Sequence, residues 1–345
     1  MKSTITTWQQ LLDEGVSRLT EAGVTEADLD AWYLLSDAFH IDRIHFFMDK
    51  SRPVFGARLE AGRPVYEEYL KARSSRIPLQ QILGSQEFMG LSFKVNEHVL
   101  IPRQDTETLV EEVLKEHPET EISVLDMCAG SGCIALSLAV LGGYEHVTAV
   151  DRSLEALKVA QKNGSSLFLV QKGTVKAESR LLSECPRKFE FTVCQTADTG
   201  RLKKGLGVAG TKASDDGAPS LRVRHLTLME SDMYSNIEPA GQYDMIVSNP
   251  PYIPSSVIDG LEPEVRDHEP RMALDGDEDG LYFYRILAAK SGKYLKDGGS
   301  VYFEIGYDQG EAVSELLLEN GFENVCVVKD GPGLDRVVKA VRRYK

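Results

Sequence analysis

Ile122-Ser123-Val124-Leu125-Asp126-Met127-Cys128-Ala129-Gly130-Ser131-Gly132 begins as a short buried strand over 122–126 and breaks into a glycine turn, ahead of an apolar helical stretch over 133–141. Glycines let a backbone approach a ligand closely, and the first turn of a helix carries N–H groups with no partner inside the helix. Strand, glycine turn and helix in this order form the ligand-binding part of an open α/β sheet. Outward from it, 147–150 reads as a second strand ending at Asp151. A carboxylate there is placed to accept hydrogen bonds from the two hydroxyls of a ribose, and its separation from Gly130 suits a nucleoside-binding βαβ unit.

The same residues satisfy a relaxed dinucleotide fingerprint, Gly130-x-Gly132-x-x-Ala135, so two ligands compete for this unit. A nicotinamide dinucleotide brings a pyrophosphate. S-adenosyl-L-methionine brings none and carries a sulfonium cation, which suits a more acidic pocket. Asp126, just before the turn, fits the cation better than a diphosphate, and this reading favours the methyl donor. A glycine turn that only packs helix on strand is the third account.

Downstream, 243–248 reads as another buried strand, and it opens into Asn249-Pro250-Pro251-Tyr252. Each proline has φ fixed and restricts the residue before it to extended backbone, so the segment loses little entropy on binding. Prolines carry no N–H, so this main chain offers mostly acceptors, and the Asn249 side-chain oxygen adds one more. Two convergent acceptors suit an NH2 group, and the Tyr252 ring offers a flat face for a conjugated base or carboxamide. Alone, the tetrapeptide could equally be a proline-rich turn. After the glycine turn and Asp151 it points to methyl transfer onto an amino or amide nitrogen. The amide of a glutamine and the amino group of adenine or guanine present similar donors. The acidic balance and small helical N-terminal segment favour a protein substrate over a nucleic acid. A nucleoside-binding module without catalysis is the remaining alternative.

With these motifs, the chain resembles the HemK-type protein-(glutamine-N5) methyltransferases that modify peptide chain release factors. Further matches are Ile101-Pro102-Arg103-Gln104-Asp105-Thr106-Glu107, Val150-Asp151-Arg152, Ser231-Asp232, Phe303-Glu304-Ile305-Gly306 with Gln309-Gly310, and Asp335-Arg336-Val337-Val338. The resemblance covers residues 5–164 and 221–343. It implies that Cys128, Ala129, Gly130, Ser131, Gly132, Asp151, Met233 and Asn249 line a site for S-adenosylmethionine. It also implies that Asn249, Pro250, Pro251 and Tyr252 hold the substrate glutamine, with Asn249, Pro250 and Tyr252 as the catalytic group. Release factors are then the partners, and the helical N-terminal segment helps grip them. Arg103 and Glu304 have no assigned role and also fit structural ion pairs or turns.

Two departures stand out. Cys128 occupies a position where the family usually has glycine, so the turn must reach its geometry without glycine's freedom. Residues 165–220 form an insertion where the family has a short connection. It contains strand-like runs at 167–170 and 189–193, then a polar segment over 200–220 with five glycines. The insertion reads as a surface hairpin followed by a loop. Nine Lys or Arg against six Asp or Glu give it a charge of +3 within a chain of net charge −14. A solvated insertion without a partner is the favoured account, and weak contact with RNA is the alternative.

A chain of 345 residues with 42% hydrophobic content supports about two domains. The division expected is a helical domain over 1–76, a linking hairpin over 77–105 and a methyltransferase domain over 106–345. In the helical part, Trp8, Leu11, Leu12, Val16 and Leu19 recur at helical spacing, as do Leu29, Trp32, Tyr33, Leu35 and Phe39 behind a possible Thr25 cap. Pro64 suits a helix start. The hairpin would turn at Gly90-Leu91. From residue 122 onward strands alternate with helices, then 323–328 and 336–341 read as paired strands. The expected fold is therefore α/β of the class I methyltransferase kind, Rossmann-like, with a mostly parallel sheet closed by an antiparallel hairpin. No signal-peptide core or long apolar run is present, so a cytoplasmic protein without a membrane contact is expected. Five cysteines without a CxxC pair argue against disulfides and zinc, and the acidic balance argues against direct DNA binding.

Overall fold

The computed structural model describes residues 6–170, 177–184, 187–196 and 221–344. They fall into two units, one made of the chain up to Ser85 with Leu261–His268, the other of Gln86–Gly260 with Glu269–Lys345.

The larger unit carries a hairpin, β1 (Ser85–Phe88) and β2 (Leu91–Lys94), and a nine-stranded sheet. The sheet strands are β3 (Ser123–Met127), β4 (His146–Asp151), β5 (Ala177–Glu184), β6 (Arg187–Thr196), β7 (Leu221–Glu230), β8 (Tyr243–Ser248), β9 (Leu295–Glu304), β10 (Phe322–Lys329) and β11 (Asp335–Arg342). Their order is β10-β11-β9-β8-β3-β4-β7-β6-β5. Strands β9, β8, β3, β4 and β7 run parallel, β11 and β6 run antiparallel to them on either side, and the outer β10 and β5 pair antiparallel with β11 and β6. This is the class I methyltransferase pattern. The chain leaves β3 toward opposite flanks, to β4 and later to β8, which puts a crevice at their carboxyl ends.

Both faces of the central strands are buried, which is why they read as apolar runs rather than alternating ones. Alternate residues still sort by face. Val124, Met245 and Val247 pack with Leu109, Val110 and Val113 of the helix Gln104–Glu116. Leu125, Met127 and Ile246 pack with Tyr284 and Leu287 of the helix Tyr282–Ser291.

Several local expectations change. The run at 167–170 is not a strand but the end of the helix Leu154–Val170, where Phe168 is buried against the sheet. Four apolar residues have no period of their own, and packing decided between helix and strand. The run at 189–193 does lie in β6, which pairs with β7 and lengthens the sheet. Of the basic insertion 165–220, for which RNA contact is the alternative, residues 171–176, 185–186 and 197–220 lie outside the described residues. The β1–β2 turn is Met89-Gly90, with φ of 53° and 70°, rather than Gly90-Leu91. Positive φ at both positions is the type I′ loop, whose twist matches the flanking strands, so the register lies one residue earlier. No helix among the described residues is long and apolar enough to cross a membrane.

The smaller unit contains the helices Trp8–Glu21, Ala27–Phe39, Arg43–Asp49, Gly56–Ser74, Leu79–Leu83 and Pro263–His268. Thr7 caps the first in a reciprocal pair with Gln10. Thr25 does not cap the second, whose first flanking residue is Glu26. Of the expected stripe, Trp32, Leu35 and Phe39 are buried, joined by Ala31, Leu34 and Ala38, while Leu29 and Tyr33 stand exposed. Pro64 lies inside its helix. The helix continues through the lost hydrogen bond because Tyr66 and Leu70 beyond it are buried with Leu11, Leu19 and Phe39.

A buried polar cluster joins three of these elements. Arg73 donates from Nε to Asp30 at 2.6 Å and lies 2.8 Å from Glu264, which also accepts from Arg76 at 2.6 Å. Burial opposes the charge on Glu264, but the Arg76 and Arg73 hydrogen bonds outweigh it and hold the carboxyl down at about 2. Its folded value lies below its ordinary 4.5, so this stabilisation is complete above that pH and is lost as pH falls toward 2. Glu264→Gln should therefore cost about 2–3 kcal/mol at neutral pH, and the deficit should shrink on acidification. Urea unfolding followed by tryptophan emission measures it, since the chain's 2 tryptophans, Trp8 and Trp32, both sit in this unit.

Candidate active site

The crevice is built from the residues that follow three adjacent parallel strands. Cys128 comes after β3, Asp151 closes β4 and Asn249 comes after β8. All three line a cavity of about 240 Å³, together with Gly130, Met233 and Pro251.

The glycine turn and Asp151 hold each other. Gly130 donates its N–H to one Asp151 oxygen at 2.8 Å, and Ser153 donates to the other at 2.7 Å. With the Arg152 N–H also directed at it, the carboxylate has three donors for about four lone pairs, which leaves acceptor capacity for a ribose hydroxyl. Burial pushes the Asp151 carboxyl up, against the N–H groups of Ser153, Gly130 and Arg152. At Gly130, φ is +54° and an added Cβ would meet nothing within 4 Å. The glycine is thus needed for its backbone angle, and the space beside it is open to a ligand. Asp126 is fully buried behind the turn rather than on the cavity wall, accepting the Ala135 N–H at 3.1 Å with its other oxygen unpartnered. Burial pushes its carboxyl up to about 8. The wall carboxylates are Asp151, Asp232 and Asp275, opposed by Arg152.

Cys128 adopts φ of 62°, so a non-glycine residue does take the left-handed angle at this position. Its sulfur lies 3.8 Å from the Met233 sulfur. Met233 also has positive φ, 50°, in a loop that Ser231 ties down by donating to the Met233 carbonyl at 2.5 Å.

Asn249 donates from Nδ2 to the Thr106 hydroxyl at 3.2 Å. Its Nδ2 is thereby engaged with the protein. Pro251 and Asn249 reach the cavity, while Pro250, Tyr252, Ala129, Ser131 and Gly132 do not line it. Tyr252 packs partly buried against the Tyr284 and Phe303 face, and its carbonyl accepts from Gln309 at 3.0 Å. The loop that follows is threaded tightly past it. A Cβ on Gly276 would stand 2.8 Å from the Tyr252 Cα, and Gly276 and Leu274 bracket Ile253 with hydrogen bonds of 2.8 and 3.0 Å.

Three supports were not evident from residue pattern. Asn163, fully buried on the helix Leu154–Val170, donates to the carbonyls of Ser131 and Lys94 and accepts the Lys94 N–H. Ser248 donates to the Met127 carbonyl at 2.8 Å and fixes β8 to β3. Glu269 accepts from Arg103 at 2.6 Å and from the Ile101 N–H at 3.1 Å, which makes Arg103 part of a structural ion pair. Each is a lone polar residue in sequence, and only its burial reveals it.

The strain at Cys128 can be measured. Cys128→Gly should remain within about 1 kcal/mol of the parent, because relief of the left-handed angle offsets the added freedom of the unfolded chain. Cys128→Val, branched at the same angle, should lose about 1–2 kcal/mol more. Thermal unfolding of the two variants separates them.

Residues 10–84 match the family model of the PrmC N-terminal domain, and residues 104–195 match that of the Methyltransferase small domain. The release factor glutamine methyltransferase of Geobacter sulfurreducens is 36% identical, covering 98% of this chain and 97% of that protein. That of Caulobacter vibrioides is 35% identical over 94% and 93% of the two chains. A solved structure, the protein-(glutamine-N5) methyltransferase (release factor-specific) of Alicyclobacillus acidocaldarius, is 26% identical over 73% of this chain and 99% of that one, with a TM-score of 0.34. With such identity sustained along almost the whole sequence, the chain belongs to the release factor glutamine methyltransferase family.

Proposed function

We propose that this protein transfers a methyl group from S-adenosyl-L-methionine to the side-chain amide nitrogen of the glutamine in the Gly-Gly-Gln motif of a peptide chain release factor, in the cytoplasm. The observation that carries the proposal is the anchoring of Asn249. Its Nδ2 is engaged by Thr106, so the group left for a substrate on the cavity side is an acceptor, Oδ1. The names of the relatives supply the substrate class.

The cavity fits the methyl donor. Asp151 is placed for ribose hydroxyls, the open space at Gly130 admits a ligand against the backbone, and the acidic wall suits a sulfonium better than a pyrophosphate. When bound there, S-adenosylmethionine supplies an electrophilic methyl carbon. Cys128, Gly130, Asp151 and Met233 would hold it, with Ala129, Ser131 and Gly132 shaping the turn.

A carboxamide nitrogen is a poor nucleophile because its lone pair is delocalised into the carbonyl, as in a peptide bond. The protein's contribution is therefore placement. Oδ1 of Asn249 and the carbonyl of Pro250 each accept one N–H of the substrate amide, which turns the π face of its nitrogen toward the methyl carbon. Such positioning contributes on the order of 7–11 kcal/mol in favourable cases. The same acceptors would stabilise the positive charge that grows on nitrogen as the N–C bond forms and the methyl–sulfur bond breaks, the sulfur leaving as a neutral thioether. Asparagine takes up no proton, so the surplus proton leaves to water after transfer. Pro251 stiffens the corner, and Tyr252, off the cavity wall, braces it through its packing and its bond to Gln309.

Incubation with labelled S-adenosylmethionine and a release factor should yield a methylated Gly-Gly-Gln glutamine on mass mapping. Methyl found instead on adenine or guanine, or on nothing, would overturn the reading. Asn249→Ala should lower turnover by about 100- to 1000-fold while cofactor affinity stays within about threefold. In calorimetric titration, Asp151→Ala should weaken cofactor binding by at least about tenfold.

A further inference from the structure

Behind Asn249, away from the cavity wall, lie Thr106 and Glu304, 2% and 1% exposed. Asn249 donates to the Thr106 hydroxyl oxygen at 3.2 Å, and both side chains lie near enough to the Glu304 carboxylate to favour its charged form. Its Oε2 has no hydrogen-bond partner, and Glu304 makes no ion pair among the described residues. A buried carboxylate left this bare costs free energy, so its place behind the substrate-facing asparagine calls for a reason.

From this arrangement we infer that Glu304 is a positioning residue, which through Thr106 and by direct attraction fixes the Asn249 amide with Nδ2 inward and Oδ1 toward the substrate. The inference rests on the proposed function, since it says how the acceptor used there is kept in place. An ionised carboxylate has acceptors only, so the amide end beside it must be the NH2. A protonated Glu304 offers a donor and tolerates the flipped amide. Flipped, Asn249 would present N–H groups to the N–H groups of the incoming glutamine, and the pair would repel.

The charged and titratable groups around Glu304 come from every side. Arg336 on β11 lowers its carboxyl and Asp105 on the helix Gln104–Glu116 raises it, while Tyr252, Tyr284 and Cys133 also face it. Arg336 is already committed to Asp330 at 3.0 Å, to Asp105 at 3.3 Å and to the Ile305 carbonyl at 3.3 Å. Burial, the largest influence, pushes the Glu304 carboxyl up to about 7, with Thr106 the main opposing contact. The inward lock is therefore engaged above neutrality and released below it.

Single-turnover methyl transfer to a release factor should rise about tenfold per pH unit below pH 7 and level off above it. Glu304→Gln, nearly isosteric, should abolish that limb and lower the plateau rate by at least about tenfold, with cofactor affinity unchanged within about twofold. Thr106→Ser should restore most of the rate that Thr106→Val loses. A Glu304→Gln enzyme with the parent rate and the parent pH limb would overturn the inference while leaving the proposed function standing. A second readout works without turnover and serves if the parent transfers no methyl to a release factor. The side-chain amide resonances of Asn249, in the folded full-length protein, should titrate near pH 7 in the parent and in Asp105→Asn but not in Glu304→Gln. Amide signals indifferent to pH in the parent would overturn the inference by themselves. Should Glu304→Gln fail to fold, the Thr106 pair and the parent titration decide the matter alone.

Discussion

The parallel pairing of β3 with β4 on one flank and β8 on the other is the constraint on which everything else here depends. Met127 pairs with both Val150 and Ser248, so the chain leaves all three strands at one level of the sheet. Cys128, Asp151 and Asn249 are brought together by that register, although more than a hundred residues separate the first from the last. A slip of one residue in either pairing would exchange the residues packed on the two buried faces, so the fit of both cores holds the register that the crevice needs.

The polar groups around this crevice fall into two kinds. Some close a geometry, as Ser248 does between β8 and β3, Asn163 between helix, hairpin and glycine turn, and Glu269 at Ile101 and Arg103. Others leave capacity unused. Asp151 keeps some acceptor capacity beside an open space, Asn249 turns its amide nitrogen inward, and Glu304 holds an unpartnered oxygen behind it. Natural interiors rarely leave polar atoms unmatched, so the second kind marks where chemistry is expected and the first marks what supports it.

Much of this was legible from local pattern. The apolar runs of β3, β4 and β8 are long enough and sufficiently flanked by turn residues to read as strands, and positive φ at Gly130 is what glycine at a ligand turn predicts. Errors clustered where a local signal was weak and packing decided. The run at 167–170 became the end of a helix because its Phe168 had a pocket to fill. Pro64 failed to start a helix because the core continued past it. Leu29 and Tyr33 share helical spacing with the buried Trp32 and Phe39 yet stand exposed, because a helix of mixed apolar faces gives no phase until its neighbours are known. The first unit runs on to Ser85 and takes in Leu261–His268, a contribution that linear order conceals.

The sequence by itself determined the class of fold, the family and the three strand-end residues, Cys128, Asp151 and Asn249, that line the crevice, because glycine turns, proline pairs and strand-end carboxylates are local devices. Tertiary structure alone decided which way Asn249 turns, that Tyr252 stands off the cavity wall, and that Asp126 and Glu304 are buried without full partners. Those facts arise from contacts between distant segments and from desolvation, and neither quantity exists until the chain has closed around them.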